Sequence, residues 1–213
     1  MKALVTGFDP FGGDSVNPSS LAVSRLKTKI GPVSVSTAVL PTSYARSAAV
    51  LRDAIEETRP GIVLCVGQAG GRTELSLERV GINVQDARIP DNDRHQPIDL
   101  PVRADGPAAY FATLPVKACV AEMRKAGLPA GVSNTAGTFV CNHILYSLMD
   151  IIASHPGNMR GGFLHIPYVP EQVARLGGAP SMAVDDIVRG IEIIVATSAA
   201  RTADIHTAEG RIS

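Results

Sequence analysis

Apolar positions along this chain switch between two patterns: short runs of strand-forming residues, and longer stretches repeating every three to four residues. Residues 3–6 predict a first strand, and Asn17-Pro18 predicts an N-cap with proline at the first helical position, opening a helix to about residue 29. A second strand is expected over 33–40. A second helix follows over 43–58, with Ala45, Ala48, Ala49, Leu51 and Ile55 on one side. Residues 61–66 form a continuous apolar run of the kind buried on both faces of a sheet. Residues 78–89 read as a strand or hairpin arm, and 90–107, rich in Pro, Asp and charge, as a long loop. Helices are expected at 114–126, 139–154 and 183–200, and a strand at 161–166. The last residues, about 203–213, are polar and read as a loosely held tail.

This alternation predicts one α/β domain spanning 1–213, a three-layer α/β/α sandwich around a mostly parallel twisted sheet. Ligand sites in such folds lie beyond the carboxyl ends of the strands. That rule points to the loops after Thr6, Val66, Ser133 and Ile166. Lys plus Arg equals Asp plus Glu at 20 each, so there is no electrostatic case for nucleic acid or an anionic membrane. Three cysteines, an odd number, argue against a disulfide framework and for a reducing compartment. The apolar N-terminal run is too short for a signal peptide, and no later run approaches membrane-spanning length. A cytoplasmic protein is expected.

The chemistry concentrates in the predicted loops. Cys141 follows Gly137, which permits a tight turn, and Thr138, a candidate N-cap, so it falls in the first turn of the 139–154 helix. There the peptide dipoles favour negative charge, and the thiol is expected to ionise more easily, with helix-start amides available for an oxyanion. A buried structural cysteine is the alternative. Among five histidines, His143 sits roughly 200° around the helix from Cys141 and should face away. His165, at the carboxyl end of the 161–166 strand, is the favoured partner for the thiol. Strand parity places Glu78 on one face with Val80, Ile82 and Val84, where a lone carboxylate needs a partner. That partner is either a histidine N–H, as in a catalytic triad, or an arginine such as Arg72 or Arg79 in a structural ion pair. Phe8 and Phe11 flank a tight turn after the first strand. With Phe139 they form either an apolar site wall or ordinary core filling.

Several blocks together resemble one family. Gly7-Phe8-Asp9-Pro10-Phe11-Gly12-Gly13 with Asn17-Pro18-Ser19, Ala69-Gly70-Gly71-Arg72 and Glu78-Arg79-Val80 with Asn83 come first. Asp86-Ala87-Arg88-Ile89-Pro90-Asp91-Asn92 with Gln96-Pro97, Ala136-Gly137-Thr138-Phe139-Val140-Cys141-Asn142-His143, and Gly162-Phe163-Leu164-His165-Ile166-Pro167-Tyr168 follow in order. The match is similar to pyroglutamyl peptidase I, a family of cysteine peptidases, from the first strand to about Gln172. The resemblance implies a Glu-Cys-His triad at Glu78, Cys141 and His165, with Arg88 and the Cys141 amide stabilising an oxyanion. It places a pyrrolidone pocket at Phe8, Phe11, Thr42, Ile89, Phe139 and Val140, with the Gln68 main chain and Asn17 near the lactam. It also implies peptide substrates with an N-terminal pyroglutamate, no metal or organic cofactor, and a homotetramer. The loop Asp93-Arg94-His95 differs from the family's usual acidic-plus-glycine pair.

Two other functions use the same residues. A nucleoside-phosphorylase-like transferase would bind phosphate at Gly67-Gln68-Ala69-Gly70-Gly71-Arg72. A non-catalytic binder of pyroglutamyl termini would need none of Glu78, Cys141 and His165.

Overall fold

Strands with no polar face form the middle of the sheet. In β4 (Ile62–Gln68) every residue before Gln68 is buried, and in β9 (Arg160–Ile166) every residue after Arg160. In the computed structural model, which describes residues 1–155 and 157–210, these strands pair in parallel at the centre of a seven-stranded sheet. The order is β2 (Lys29–Ile30), β3 (Val33–Leu40), β1 (Lys2–Phe8), β4, β9, β5 (Leu75–Glu78) and β8 (Ala130–Ser133). The strands β3, β1, β4 and β9 run in one direction. β5 is antiparallel to β9 and parallel to β8, so both outer strands point the other way. A separate antiparallel pair joins β6 (Val80–Ile82) to β7 (Ala109–Phe111).

Helices cover both faces, giving the expected three-layer α/β/α sandwich. α2 (Ser47–Thr58) and α4 (Val140–Ser154) pack over the side carrying Leu4, Phe8, Cys65 and Phe163. α1 (Pro18–Ser24), α3 (Val116–Lys125) and α6 (Val184–Ala200) cover the side carrying Val5, Leu64, Val66 and Leu164. Ile144, Leu145 and Leu148 of α4 are wholly buried, each worth about 1.5–3 kcal/mol of transfer free energy. Asn17 caps α1 as anticipated, its side chain accepting from Ser19 N with Pro18 behind it. A short helix, α5 (Pro170–Val173), follows β9.

Several boundaries differ from the sequence reading for tertiary reasons. The expected 17–29 helix ends at Ser24, and residues 29–30 pair with β3 instead. The 78–89 run is not one strand: β5 ends at Glu78, and Val80 begins the β6–β7 pair. Residues 90–107 are irregular as expected but pinned, with Ala87 N bonded to Pro97 O and Gln85 bridging Leu100. Arg94 in this loop sits at φ 66°, a left-handed conformation that favours glycine. Although β8 points opposite to β9, the loop after Ser133 reaches the same place as the loops after β1, β4 and β9, and residues 135–139 line the cavity there.

The expected loose tail is tied down through residue 209. Asp204 accepts the amides of Lys117 and Ala118, capping α3, whose own N-cap is Pro115 and supplies no side-chain acceptor. Glu209 pairs with Arg124 and accepts Arg79 Nη2 at its carbonyl. Residues 211–213 lie outside the described residues. Asp204→Ala should therefore lower stability by about 1 kcal/mol, read as a shift in the urea midpoint. An unchanged midpoint would return this segment to a loose tail.

Candidate active site

His165 stands near the end of β9, and strand register decides what surrounds it. Parallel β4 places Gly67 opposite His165, while antiparallel β5 places Ser76 opposite it and Glu78 opposite Phe163. Residues two apart on a strand share a face, so Gly67, Phe163, His165 and Glu78 look out on the same side. Glu78 meets the imidazole on the diagonal, Oε1 lying 2.7 Å from His165 Nδ1. Glu78 is fully buried and His165 is 4% exposed. Arg72, in the turn after β4, brings Nη1 to 2.9 Å from the same Oε1. The parity argument for Glu78 thus needs correction: it shares its face with Ser76, across the seam from Phe163, and not with Val80, Ile82 and Val84. Of the two partners weighed for it, a histidine and an arginine, both are present. Arg79 instead binds the Glu209 carbonyl.

Cys141 is the second residue of α4, reached through Gly137 at φ 73°. A Cβ built on Gly67 would lie 2.8 Å from Cys141 Sγ and 2.8 Å from the Phe163 ring. The sulfur therefore occupies the space a side chain at position 67 would fill. Its neighbour across the sheet is His165, on a strand about 4.8 Å away. Thiol and imidazole line the same wall of one cavity without a hydrogen bond between them. Such contacts commonly tighten only when substrate is bound.

Two expectations about the helix start are overturned. Thr138 is not the N-cap; Phe139 is, and it offers no side-chain acceptor. The Thr138 hydroxyl instead donates to Asp86 O, while Thr138 O accepts Asp86 N and Tyr44 Oη–H. The first helical bond runs from His143 N to Phe139 O, which leaves the amides of Val140, Cys141 and Asn142 ahead of it. Nor does the helix start lower the thiol's pKa. Burial pushes Cys141 up to about 12, the nearby Glu78 carboxylate pushes it further, and only Arg72 pulls it back. Desolvation is the largest cause, so the resting site favours the neutral thiol over the thiolate.

The cavity measures about 880 Å³, and every residue anticipated for the site lines it: Phe8, Phe11, Asn17, Thr42, Gln68, Arg88, Ile89, Phe139, Val140, Cys141 and His165. Glu78 is the exception, lying behind His165. The Phe11 and Phe139 rings pack at 6.1 Å, and Tyr44 backs Phe139 edge-on at 5.6 Å. Phe8 is 2% exposed and packs at a tilt against Phe163, so it is wall and core at once. Arg88 and Ile89 are exposed on the rim. Asn17 supports the slot from outside the first strand, donating Nδ2–H to Asp9 O.

Three supporting residues escaped the sequence reading. Asp9 joins the loops after β1 and β3 to the 90s loop, accepting Thr42 N and Asn92 Nδ2 at its carboxylate. Asn142, fully buried beside Cys141, holds Ile82 N, Ile82 O and Val84 O, fixing the segment that leads to Arg88. Gly67 had a visible signal, a glycine inside an apolar strand, which marks close approach by another group. Asn142 and Asp9 had none, because an amide or carboxylate that serves distant backbone has no local pattern. Among the described residues no cluster of three or more His, Cys, Asp or Glu is placed to hold a metal ion, and no helix is long and apolar enough to cross a membrane.

Comparison with known proteins places the whole chain beside one family. A family model described as pyroglutamyl peptidase matches residues 1–201. The pyrrolidone-carboxylate peptidase of Brevibacillus brevis is 51% identical over 211 residues, covering 99% of this chain and 98% of its own. That of Bacillus licheniformis is 52% identical over 213 residues, covering 100% and 99%. The crystal structure of pyroglutamyl peptidase I from Bacillus amyloliquefaciens superposes with a TM-score of 0.95 at 50% identity, covering 97% and 99%. Pyrrolidone carboxyl peptidase from Thermococcus litoralis gives 0.92 at 39%, covering 97% and 99%.

His143 lies outside the cavity lining, its ring edge-on to Tyr44 at 5.6 Å and both nitrogens without partners among the described residues. Burial lowers its pKa from 6.5 to about 4, so the folded protein holds it neutral. The unfolded chain takes up a proton below about pH 6.5, so this contribution to stability is complete above that pH and is lost as pH falls toward 4. His143→Phe should remove a pH-dependent loss on the order of 2–3 kcal/mol between pH 6.5 and 4, measured by urea unfolding. Parallel wild-type and variant curves across that window would contradict the buried neutral ring.

Proposed function

The chain belongs to the pyroglutamyl peptidase family, whose members remove N-terminal pyroglutamate from peptides, and we propose that Cys141, His165 and Glu78 carry that hydrolysis in it. The observation that carries the assignment is the buried Glu78–His165 bond on the wall where the Cys141 sulfur sits above Gly67, the strand neighbour of His165. With a carboxylate at Nδ1, that nitrogen holds the proton, and Nε2 is left to take the one on sulfur. The thiolate attacks the carbonyl carbon joining the lactam to the next residue. The oxyanion that develops is met by Arg88 and by the helix-start amides that no cap has taken. His165 returns its proton to the leaving amine, a thioester remains on Cys141, and water activated by His165 releases pyroglutamate. A thiol that rests neutral makes His165 essential to this scheme, because sulfur becomes a thiolate only as the ring accepts its proton.

Selectivity follows from the walls. Phe8, Phe11, Phe139, Val140, Ile89 and Thr42 make a slot suited to an uncharged ring, with the Gln68 main chain on one side and Asn17 supporting it. An ordinary N-terminus would bring an ammonium into that slot, at a cost of several kcal/mol. No step needs a metal or organic cofactor. A transferase that binds phosphate at residues 67–72 is not favoured, since Arg72 already holds Glu78 and the Thr135 carbonyl and the relatives are peptidases. A pure binder has no use for a buried carboxylate–imidazole pair beside a thiol. A cytoplasmic location is supported by three free cysteines. Assembly as a homotetramer is supported by the family resemblance and by apolar side chains exposed at Ile98, Leu100 and Phe111. The balanced charge supports neither nucleic acid nor an anionic membrane as partner.

The test is hydrolysis of a pyroglutamyl chromogenic amide beside prolyl and glutaminyl amides with free amines. The wild type should cleave only the first. Cys141→Ser should abolish turnover without moving the unfolding midpoint, and Glu78→Gln should lower kcat by about 100-fold or more. Retained turnover in Cys141→Ser would remove the sulfur from its role, and an unchanged rate in Glu78→Gln would make the carboxylate structural.

A further inference from the structure

The geometry points to Arg72 as a fourth, positioning member of this site: its guanidinium shares the Glu78 carboxylate with His165 and balances charge around the Cys141 sulfur, acting through Glu78 and not on the substrate. The inference deepens the cysteine-peptidase reading above and rests on it.

Glu78 is wholly buried, and its Oε2 has no partner among the described residues. All compensation for the carboxylate therefore enters through Oε1, from His165 Nδ1 at 2.7 Å and Arg72 Nη1 at 2.9 Å. A buried carboxylate left with a single partner is costly and free to turn. Arg72 supplies the second fixed point. It is itself held, with its backbone N bonded to Ala69 O and Nη2 donating to Thr135 O in the loop that leads to Cys141. One side chain thus links the turn after β4, the end of β5 and the approach to α4. Arg72 also lines the cavity, but its Nη1 and Nη2 are already engaged with Glu78 and the Thr135 carbonyl.

Charge counting gives the same role. Before proton transfer, Glu78 and Arg72 cancel beside a neutral thiol and a neutral imidazole. After it, thiolate and imidazolium cancel as well. Without Arg72 the same buried site carries a net negative charge throughout, which opposes formation of the thiolate. The other titratable groups around the sulfur are Cys65 from β4, His165 from β9 and Tyr44 ahead of α2, with Asp86 and Arg88 across the cavity. Burial, Glu78 and Cys65 raise the thiol, and Arg72 lowers it. Lysine would not replace the fork, since one ammonium cannot hold Glu78 and the Thr135 carbonyl in the same fixed geometry.

Arg72→Gln, Arg72→Lys and the pair Arg72→Gln/Glu78→Gln should be compared with the wild type for kcat, KM and alkylation of Cys141 by iodoacetamide at pH 8, with folding checked by urea unfolding. Arg72→Gln should lower kcat by about 10- to 100-fold with KM within about threefold, and slow alkylation about tenfold. Arg72→Lys should recover part of the alkylation rate. In the Glu78→Gln background the further loss of kcat should shrink to under about threefold, the non-additivity expected of residues acting as one unit. Wild-type kcat and alkylation in a folded Arg72→Gln would overturn the proposal. So would a rise in KM alone, which marks a substrate contact, or full additivity with Glu78→Gln. Alkylation needs no peptide, so a wild type that failed to cleave the pyroglutamyl amide would remove the functional reading while the coupling of Arg72 to the thiol was still measured.

Discussion

The chemistry proposed for this protein depends on a buried hydrogen bond across the antiparallel seam between β9 and β5. Running antiparallel to β9, β5 ends opposite Phe163, and Glu78 lies under the imidazole with no exposure of its own. Burial in a low-dielectric interior strengthens the contact with His165 and makes any unpaired alternative expensive. The cost of hiding the carboxylate is offset by two partners on one oxygen, a ring and a guanidinium.

The remaining parts of the site follow from leaving room above this bond. Gly67 omits a side chain beside His165, and the first turn of α4 fills the gap with sulfur. Asn142, the next residue, grips the backbone of Ile82 and Val84, and Thr138 grips Asp86. The rim that carries Arg88 is therefore fastened to the same helix start that carries the thiol. The Phe11 and Phe139 rings, with Tyr44 behind Phe139, give the slot an apolar wall. A neutral thiol suits the apolar part of this slot, because in the proposed reaction the sulfur gains its charge only as His165 takes its proton.

Much of this was legible in the sequence where a local pattern carries it. The apolar runs marked β4 and β9, Gly137 marked the turn before α4, and a histidine at a strand end and a cysteine at a helix start marked the cavity wall. Glu78 was identified from an alternation that does not exist, since the chain leaves β5 at that residue and begins a different pairing at Val80. A carboxylate amid apolar neighbours was the true signal, and it survives the wrong strand. Thr138 has the composition of a cap, but tertiary contacts with Asp86 outcompete that role. The thiol's ionisation was misjudged because dipole arguments see the helix and not the burial around it. Asp204 reaches α3 from 86 or more residues away, a relation that no local window contains.

Everything proposed for the thiol depends on which ring nitrogen of His165 carries the proton when the imidazole is neutral. Nitrogen-15 NMR of labelled protein, with the resonance assigned by comparison with a His165→Gln variant, reads this directly. The proton should sit on Nδ1, facing Glu78, with Nε2 bare toward the cavity. A neutral ring protonated on Nε2, with Nδ1 bare against the carboxylate, would contradict the arrangement at its root.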